Sequence, residues 1–131
     1  MKPDRQNKGP RISVALVDDN DMMRTLLRGI LRGEDFDVVA ECKDGEHAVD
    51  AAIRLKPDVV LLDIMMPGMD GLEALQEIRR KEPSVKVIMI TASASAGNVK
   101  EAIGNGASGF IVKPFNAAKV INAITKAMAP A

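Results

Sequence analysis

Short apolar runs alternate with segments of helical period along most of this chain. Ile12–Val17, Val59–Leu62 and Val87–Ile90 are apolar with almost no alternation, the pattern of strands covered on both faces. They are the expected central strands. Val38–Cys42 and Phe110–Val112 are shorter or more interrupted and fit the edges of a sheet. Between the runs, Met23, Leu26, Leu27, Ile30 and Leu31 recur at helical spacing and give one apolar face. Asp44 followed by Ala48, Val49, Ala52 and Leu55 predicts a second helix. Asp70 followed by Leu72, Leu75 and Ile78 predicts a third, with Glu73 three residues after the cap. A fourth, near Val99–Ile103, is short and interrupted by Gly104, which makes it the weakest by propensity. Ala117, Val120, Ile121 and Ile124 mark the fifth. Strand and helix alternating in this way predict βα units around a parallel sheet, hence the α/β class.

Composition narrows the class. A chain of 131 residues can bury roughly two thirds of its unfolded surface, enough for one core. Its 47% apolar and 27% charged residues argue against disorder, collagen-like repetition and coiled coil. Eighteen Lys and Arg offset eighteen Asp and Glu, so no global field draws the chain to nucleic acid or an anionic membrane. The lone cysteine, Cys42, has no partner for an intramolecular disulfide, and no run approaches the ~20 apolar residues of a membrane helix. A cytoplasmic setting is expected. Residues 1–10 read as a loose leader, 11–128 as the folded unit and 129–131 as a tail too short for a helix-turn-helix.

The acidic residues supply the chemistry. Asp18 and Asp19 follow the first strand and Asp63 follows the third, so a parallel sheet brings all three to one carboxyl edge, where ligands of open α/β sheets bind. Two carboxylates one strand spacing apart repel by roughly 3–4 kcal/mol at an effective dielectric near 20. Either one carboxyl keeps its proton or a cation binds. Oxygen-only ligands with no His or Cys nearby favour a hard ion, and a site with few protein ligands suits Mg²⁺ shared with phosphate oxygens. Thr91 and Lys113 end the fourth and fifth strands and reach the same edge. A cation, an ammonium and a hydroxyl around Asp63 would stabilise a transferring phosphoryl group, with Asp63 as nucleophile.

The stretches Val17-Asp18-Asp19-Asn20, Leu61 to Gly71 around Asp63, Ile90-Thr91-Ala92 and Val112-Lys113-Pro114-Phe115, in that order at four strand ends, resemble the response regulator receiver domains of two-component signalling, in particular the single-domain CheY-like type. The resemblance runs from about Arg11 to Met128. It implies a doubly wound, flavodoxin-like five-stranded parallel sheet in the order 2-1-3-4-5 with five helices. It implies Asp63 as phosphoacceptor, and Asp18, Asp19, Asp63 and the backbone carbonyl of Met65 as the Mg²⁺ site. It also implies that Lys113 pairs with the phosphoryl oxygens, that Thr91 and Phe110 switch, and that the surface of the fourth helix, fifth strand and fifth helix signals to a partner. The donor would be a histidine kinase or phosphotransfer protein and the receiver a downstream protein, without direct nucleic-acid or membrane contact, the chain acting as a monomer or a phosphorylation-linked dimer. Three positions depart from the chemotaxis pattern. Phe110 replaces Tyr and removes a hydroxyl. Met65 replaces Asn, so its side chain cannot orient water. The run Ser93–Gly97 is small, and Ala94–Gly97 lacks the charges common there.

Plainer readings stand beside these. Asp18 or Asp19 would serve as a helix cap, Asp63 as a turn residue before Pro67-Gly68, Thr91 as a cap and Lys113 as a solvated lysine. Met65, Met66 and Met69 fill loop or core, or form an adaptable docking surface. His47, the only histidine, reads as a helix-surface residue and Cys42 as a small buried hydrophobe. The competing function is an aspartate-dependent phosphohydrolase on a related fold. It needs a second acid to activate water, and Ile64-Met65 after the acceptor offer none. A turnover enzyme is therefore not expected. A flavin binder would meet repulsion between two aspartates and the cofactor phosphate.

Overall fold

The computed structural model describes residues 11–66, 68–92 and 96–129, with side chains from 99 onward in the last stretch. The expected leader, the end of the tail, Pro67 and residues 93–95 of the run Ser93–Gly97 lie outside them. The chain builds β1 (Ser13–Val17), α1 (Asp21–Arg32), β2 (Asp37–Cys42), α2 (Gly45–Leu55), β3 (Val59–Asp63), α3 (Gly71–Lys81), β4 (Lys86–Thr91), α4 (Ala96–Gly104), β5 (Gly109–Val112) and α5 (Ala117–Met128). All strands are parallel, in the order β2-β1-β3-β4-β5. The continuous apolar runs take the centre because helices cover both sides of them. Ala15, Val17, Val60, Leu62, Val87 and Met89 face α2 and α3, while Val14, Leu16, Leu61, Ile88 and Ile90 face α1 and α5. The sheet is doubly wound, and the interrupted runs form its edges.

Local chemistry sets the helix starts. Asn20, Asp44, Asp70 and Asn116 each accept a hydrogen bond from the third residue onward, Met23, His47, Glu73 and Lys119. Asp18 and Asp19 do not cap α1, because Asn20 has the extended backbone and the reach for that task. Asp63 is the last residue of β3 rather than the first beyond it, paired in register with Ile90. At the opposite end of the sheet, Asp58 accepts from the Ser13 N–H and hydroxyl at 2.9 and 3.2 Å, tying the start of β1 to β3. His47 is exposed as expected and its ring lies 2.7 Å from the capping carboxylate of Asp44. Cys42 is buried.

Candidate functional site

Two neighbouring strands deliver the carboxylates. β1 pairs with β3 so that Val17 lies opposite Leu62, and the next residue on each, Asp18 and Asp63, comes out at the carboxyl edge. One carboxylate oxygen from each of Asp18, Asp19 and Asp63 falls within 4.8 Å of the others, with Asp18 and Asp63 buried and Asp19 exposed. Lys113 Nζ stands 3.5 Å from Asp18 Oδ2 and 3.8 Å from Asp63 Oδ2. Its backbone N–H donates to the Thr91 carbonyl at 2.7 Å, which brings β5 and its lysine against the end of β4. Thr91 itself is buried at that strand end. The structure thus gathers Asp18, Asp19, Asp63, Thr91 and Lys113 along one edge.

Met65 and Phe110 are placed differently. The Met65 N–H donates to Asp63 Oδ1 at 3.3 Å and its side chain is 72% exposed, whereas Met66 is buried in the core and Met69 packs against it. Of the three, Met65 alone presents an exposed thioether beside the pocket. Phe110 is half-buried on the face of α2 and α3, opposite Met89 in the sheet.

The electrostatics of the pocket are unbalanced. Asp63 has its carboxyl pushed above the usual carboxylate range, chiefly by burial and next by the Asp18 carboxylate, with a smaller push from Asp19. The Lys113 ammonium and the Met65 N–H pull it back only in part. Asp18 Oδ1 accepts from the Asn20 N–H at 2.9 Å, but its Oδ2 is buried without a hydrogen-bond partner. Among the described residues only the Lys113 ammonium faces that oxygen, at 3.5 Å, and a buried carboxylate oxygen short of hydrogen bonds is costly in any fold. Three carboxylate oxygens fit a hard divalent cation such as Mg²⁺, and no His or Cys stands among them to favour zinc.

Asp63 is the last residue of its strand, with Oδ1 accepting from the N–H two residues on, and Lys113 is mostly buried between two carboxylates rather than solvated. Sequence reasoning missed one residue, Arg24, whose buried guanidinium donates to the Asp18 carbonyl at 2.6 Å. The signal was present. Arg24 shares the helical stripe of Leu27 and Leu31, and a cation on an apolar face needs a partner.

Comparison with known proteins agrees with the geometry. The family model described as the response regulator receiver domain matches residues 14–125. The chemotaxis protein CheY of Listeria monocytogenes is 50% identical over 116 residues, covering 88% of this chain and 98% of that protein. The CheY of Thermotoga maritima is 41% identical over 113 residues, covering 86% of this chain and 94% of that one. Among solved structures, the CheX-CheY-BeF3-Mg²⁺ complex of Borrelia burgdorferi has a TM-score of 0.89 at 34% identity, covering 95% of each chain. Strand order, the acidic edge and these relatives lead to one conclusion: the chain belongs to the response regulator receiver domains of two-component systems and has CheY-like architecture.

Proposed function

We propose that the chain accepts a phosphoryl group on Asp63 from a histidine kinase or phosphotransfer protein, in a reaction assisted by Mg²⁺, and passes the signal to a protein partner. The observation that carries this reading is the buried Asp63 carboxylate crowded by two more and faced by one ammonium. Asp18, Asp19, Asp63 and the Met65 carbonyl would hold the cation, whose chemistry is to offset the carboxylates and draw in phosphate oxygens. An Asp63 carboxylate oxygen forms the new bond to phosphorus as the bond to the donor imidazole nitrogen breaks. The imidazole nitrogen keeps that electron pair. Lys113 faces the negative oxygens of the transferred group and the Thr91 hydroxyl donates to one of them. The product is an aspartyl phosphate on this chain, so the protein is a switch and not a turnover catalyst.

Output is assigned to the surface of α4, β5 and α5. Thr91 lies one strand away from Phe110, and Phe110 carries no hydroxyl, so the change at that position is one of burial alone. The presence of CheX, BeF3 and Mg²⁺ with the Borrelia CheY supports a metal-assisted, partner-directed reading. Among the described residues no helix is long and apolar enough to cross a membrane, which accords with a cytoplasmic site of action.

Intact-mass spectrometry after incubation with acetyl phosphate and Mg²⁺ tests the reading through a gain of about 80 Da, one phosphoryl group. The gain is expected to vanish in Asp63→Asn and with EDTA. Labelling that persists in either case would refute the assignment.

A further inference from the structure

The acidic pocket leans on a side chain that takes no part in the chemistry above. Arg24 points from α1 toward the sheet and is buried with Leu27 and Leu31. Its Nη1 donates to the main-chain carbonyl of Asp18 at 2.6 Å, its Nη2 pairs with the Asp21 carboxylate, and its Nε lies 3.6 Å from Glu41 of β2. Glu41 is in turn gripped by Arg28, at 2.6 and 3.0 Å. The N–H of Asp18 donates to the Cys42 carbonyl at 3.1 Å. Both main-chain polar groups of Asp18 are therefore tied, one to β2 and the other to α1. Its side chain is turned the other way, with Oδ1 on the Asn20 N–H and Oδ2 orphaned beside Asp63 and Lys113.

We infer that Arg24 is a positioning residue for the cation site: its hold on the Asp18 carbonyl orients the peptide between Asp18 and Asp19 and so aims both carboxylates at Asp63. This rests on the reading of the pocket as a Mg²⁺-assisted phosphoacceptor. Two features suit Arg24 to the task. A planar guanidinium holds two acceptors and pairs with a third carboxylate oxygen in a different direction, which a lysine ammonium on its flexible stem does not reproduce. The two guanidinium charges of Arg24 and Arg28 are matched by Asp21 and Glu41, so the grip adds no net positive charge next to a site that must attract a divalent cation. Groups that orient ligating carboxylates commonly carry ~10-fold or more of metal affinity.

The test is isothermal titration of the full chain with MgCl2, for the wild type, Arg24→Met, Arg24→Lys and Leu31→Ala, with urea unfolding in EDTA recording the stability of each. Arg24→Met is expected to weaken Mg²⁺ binding ~10-fold or more. Arg24→Lys, which keeps the charge and the stem and so protects the fold, should also bind more weakly than wild type. Leu31→Ala, which loosens the other end of the same helix, should lose stability and keep its Mg²⁺ affinity. Wild-type affinity in a folded Arg24→Lys protein would overturn the positioning role and leave the pocket assignment standing. Absence of Mg²⁺ binding by the wild type at millimolar concentration would overturn the pocket assignment and this inference with it.

Discussion

Two helices follow the strands that carry Asp63 and Thr91, and they are held in different ways. α3 starts against Asp63. Asp70 caps it, accepting from the Glu73 N–H at 2.9 Å, and the Gly71 N–H donates to the Ile64 carbonyl at 2.9 Å. A side chain at Gly71 would begin 2.4 Å from the Asp63 carbonyl oxygen, so glycine is what lets the helix approach. Ala74, Leu75 and Ile78 are then fully buried. α4 shows little of this. Among its described side chains Ala102 alone is buried, and Ile103 is 61% exposed. Just past its end, Asn105 accepts a hydrogen bond from Gln76 of α3 at 3.3 Å. The contrast teaches where the fold spends its packing. Asp63 sits on a tightly packed shoulder, while the described side chains of α4 bury little surface, the mark of an element of low local stability.

The largest expected effect comes from cutting into the shoulder. Leu75→Ala should lower the free energy of unfolding by about 2–5 kcal/mol, and Ile103→Ala on α4 should stay within about 0.5 kcal/mol. Urea titration followed by far-ultraviolet circular dichroism measures both, there being no tryptophan to report fluorescence. Equal losses would erase the contrast. Gly71→Ala is next, at about 1–3 kcal/mol, because the added methyl must push α3 off the Asp63 backbone. On the function proposed above, the same variant should also take up less label from acetyl phosphate, since Asp63 moves with the strain.

Charge in the pocket gives a smaller effect of opposite sign. Asp63→Asn should stabilise the protein at neutral pH by on the order of 1 kcal/mol, the cost of a charge that is buried and beside another carboxylate, partly offset by the Lys113 ammonium. The sign follows from linkage. The folded protein holds the Asp63 proton more tightly than the ordinary value of 3.8, so the cost of its charge is absent below that value and grows as pH rises through the raised one. The urea midpoints of wild type and Asp63→Asn should therefore differ more at pH 7 than at pH 4. A gap that does not widen with pH would mean that Asp63 is not crowded.

The smallest effect sharpens the contrast from the other side. Gly104 ends α4 with open space where a Cβ would stand, so Gly104→Ala should add about 0.5 kcal/mol by restricting the unfolded chain. Differential unfolding against wild type resolves it. A loss in its place would show that α4 is packed more tightly than its exposure indicates.

Much of this was legible before any coordinates. The central strands can be read because burial on both faces leaves no polar position in Val59–Leu62 or Val87–Ile90, and the edge strands because Val38–Cys42 is interrupted by Glu41 and Phe110–Val112 is short. The edge on which Asp18, Asp63, Thr91 and Lys113 converge followed from parallel strands alone, since each residue comes at a strand's carboxyl end. The strand order was different in kind. It came from resemblance to receiver domains, because no local pattern says which strand lies beside β1. Arg24 was passed over because its charge suggested solvent, and a helix wheel does not show that a carbonyl and two carboxylates wait on the buried side.

The sequence by itself determined the alternation of strand and helix, the capped starts at Asp44 and Asp70, and the set of residues bound for one edge. These depend on periodicity and on side chains acting within a few positions. The distances of 3.5 and 3.8 Å from Lys113 to the two carboxylates, the choice of Asn20 over its aspartate neighbours as a cap, and the orphaned oxygen of Asp18 were decided only by tertiary structure. Each rests on which strand or helix lies alongside another, and that comes from packing the whole core at once.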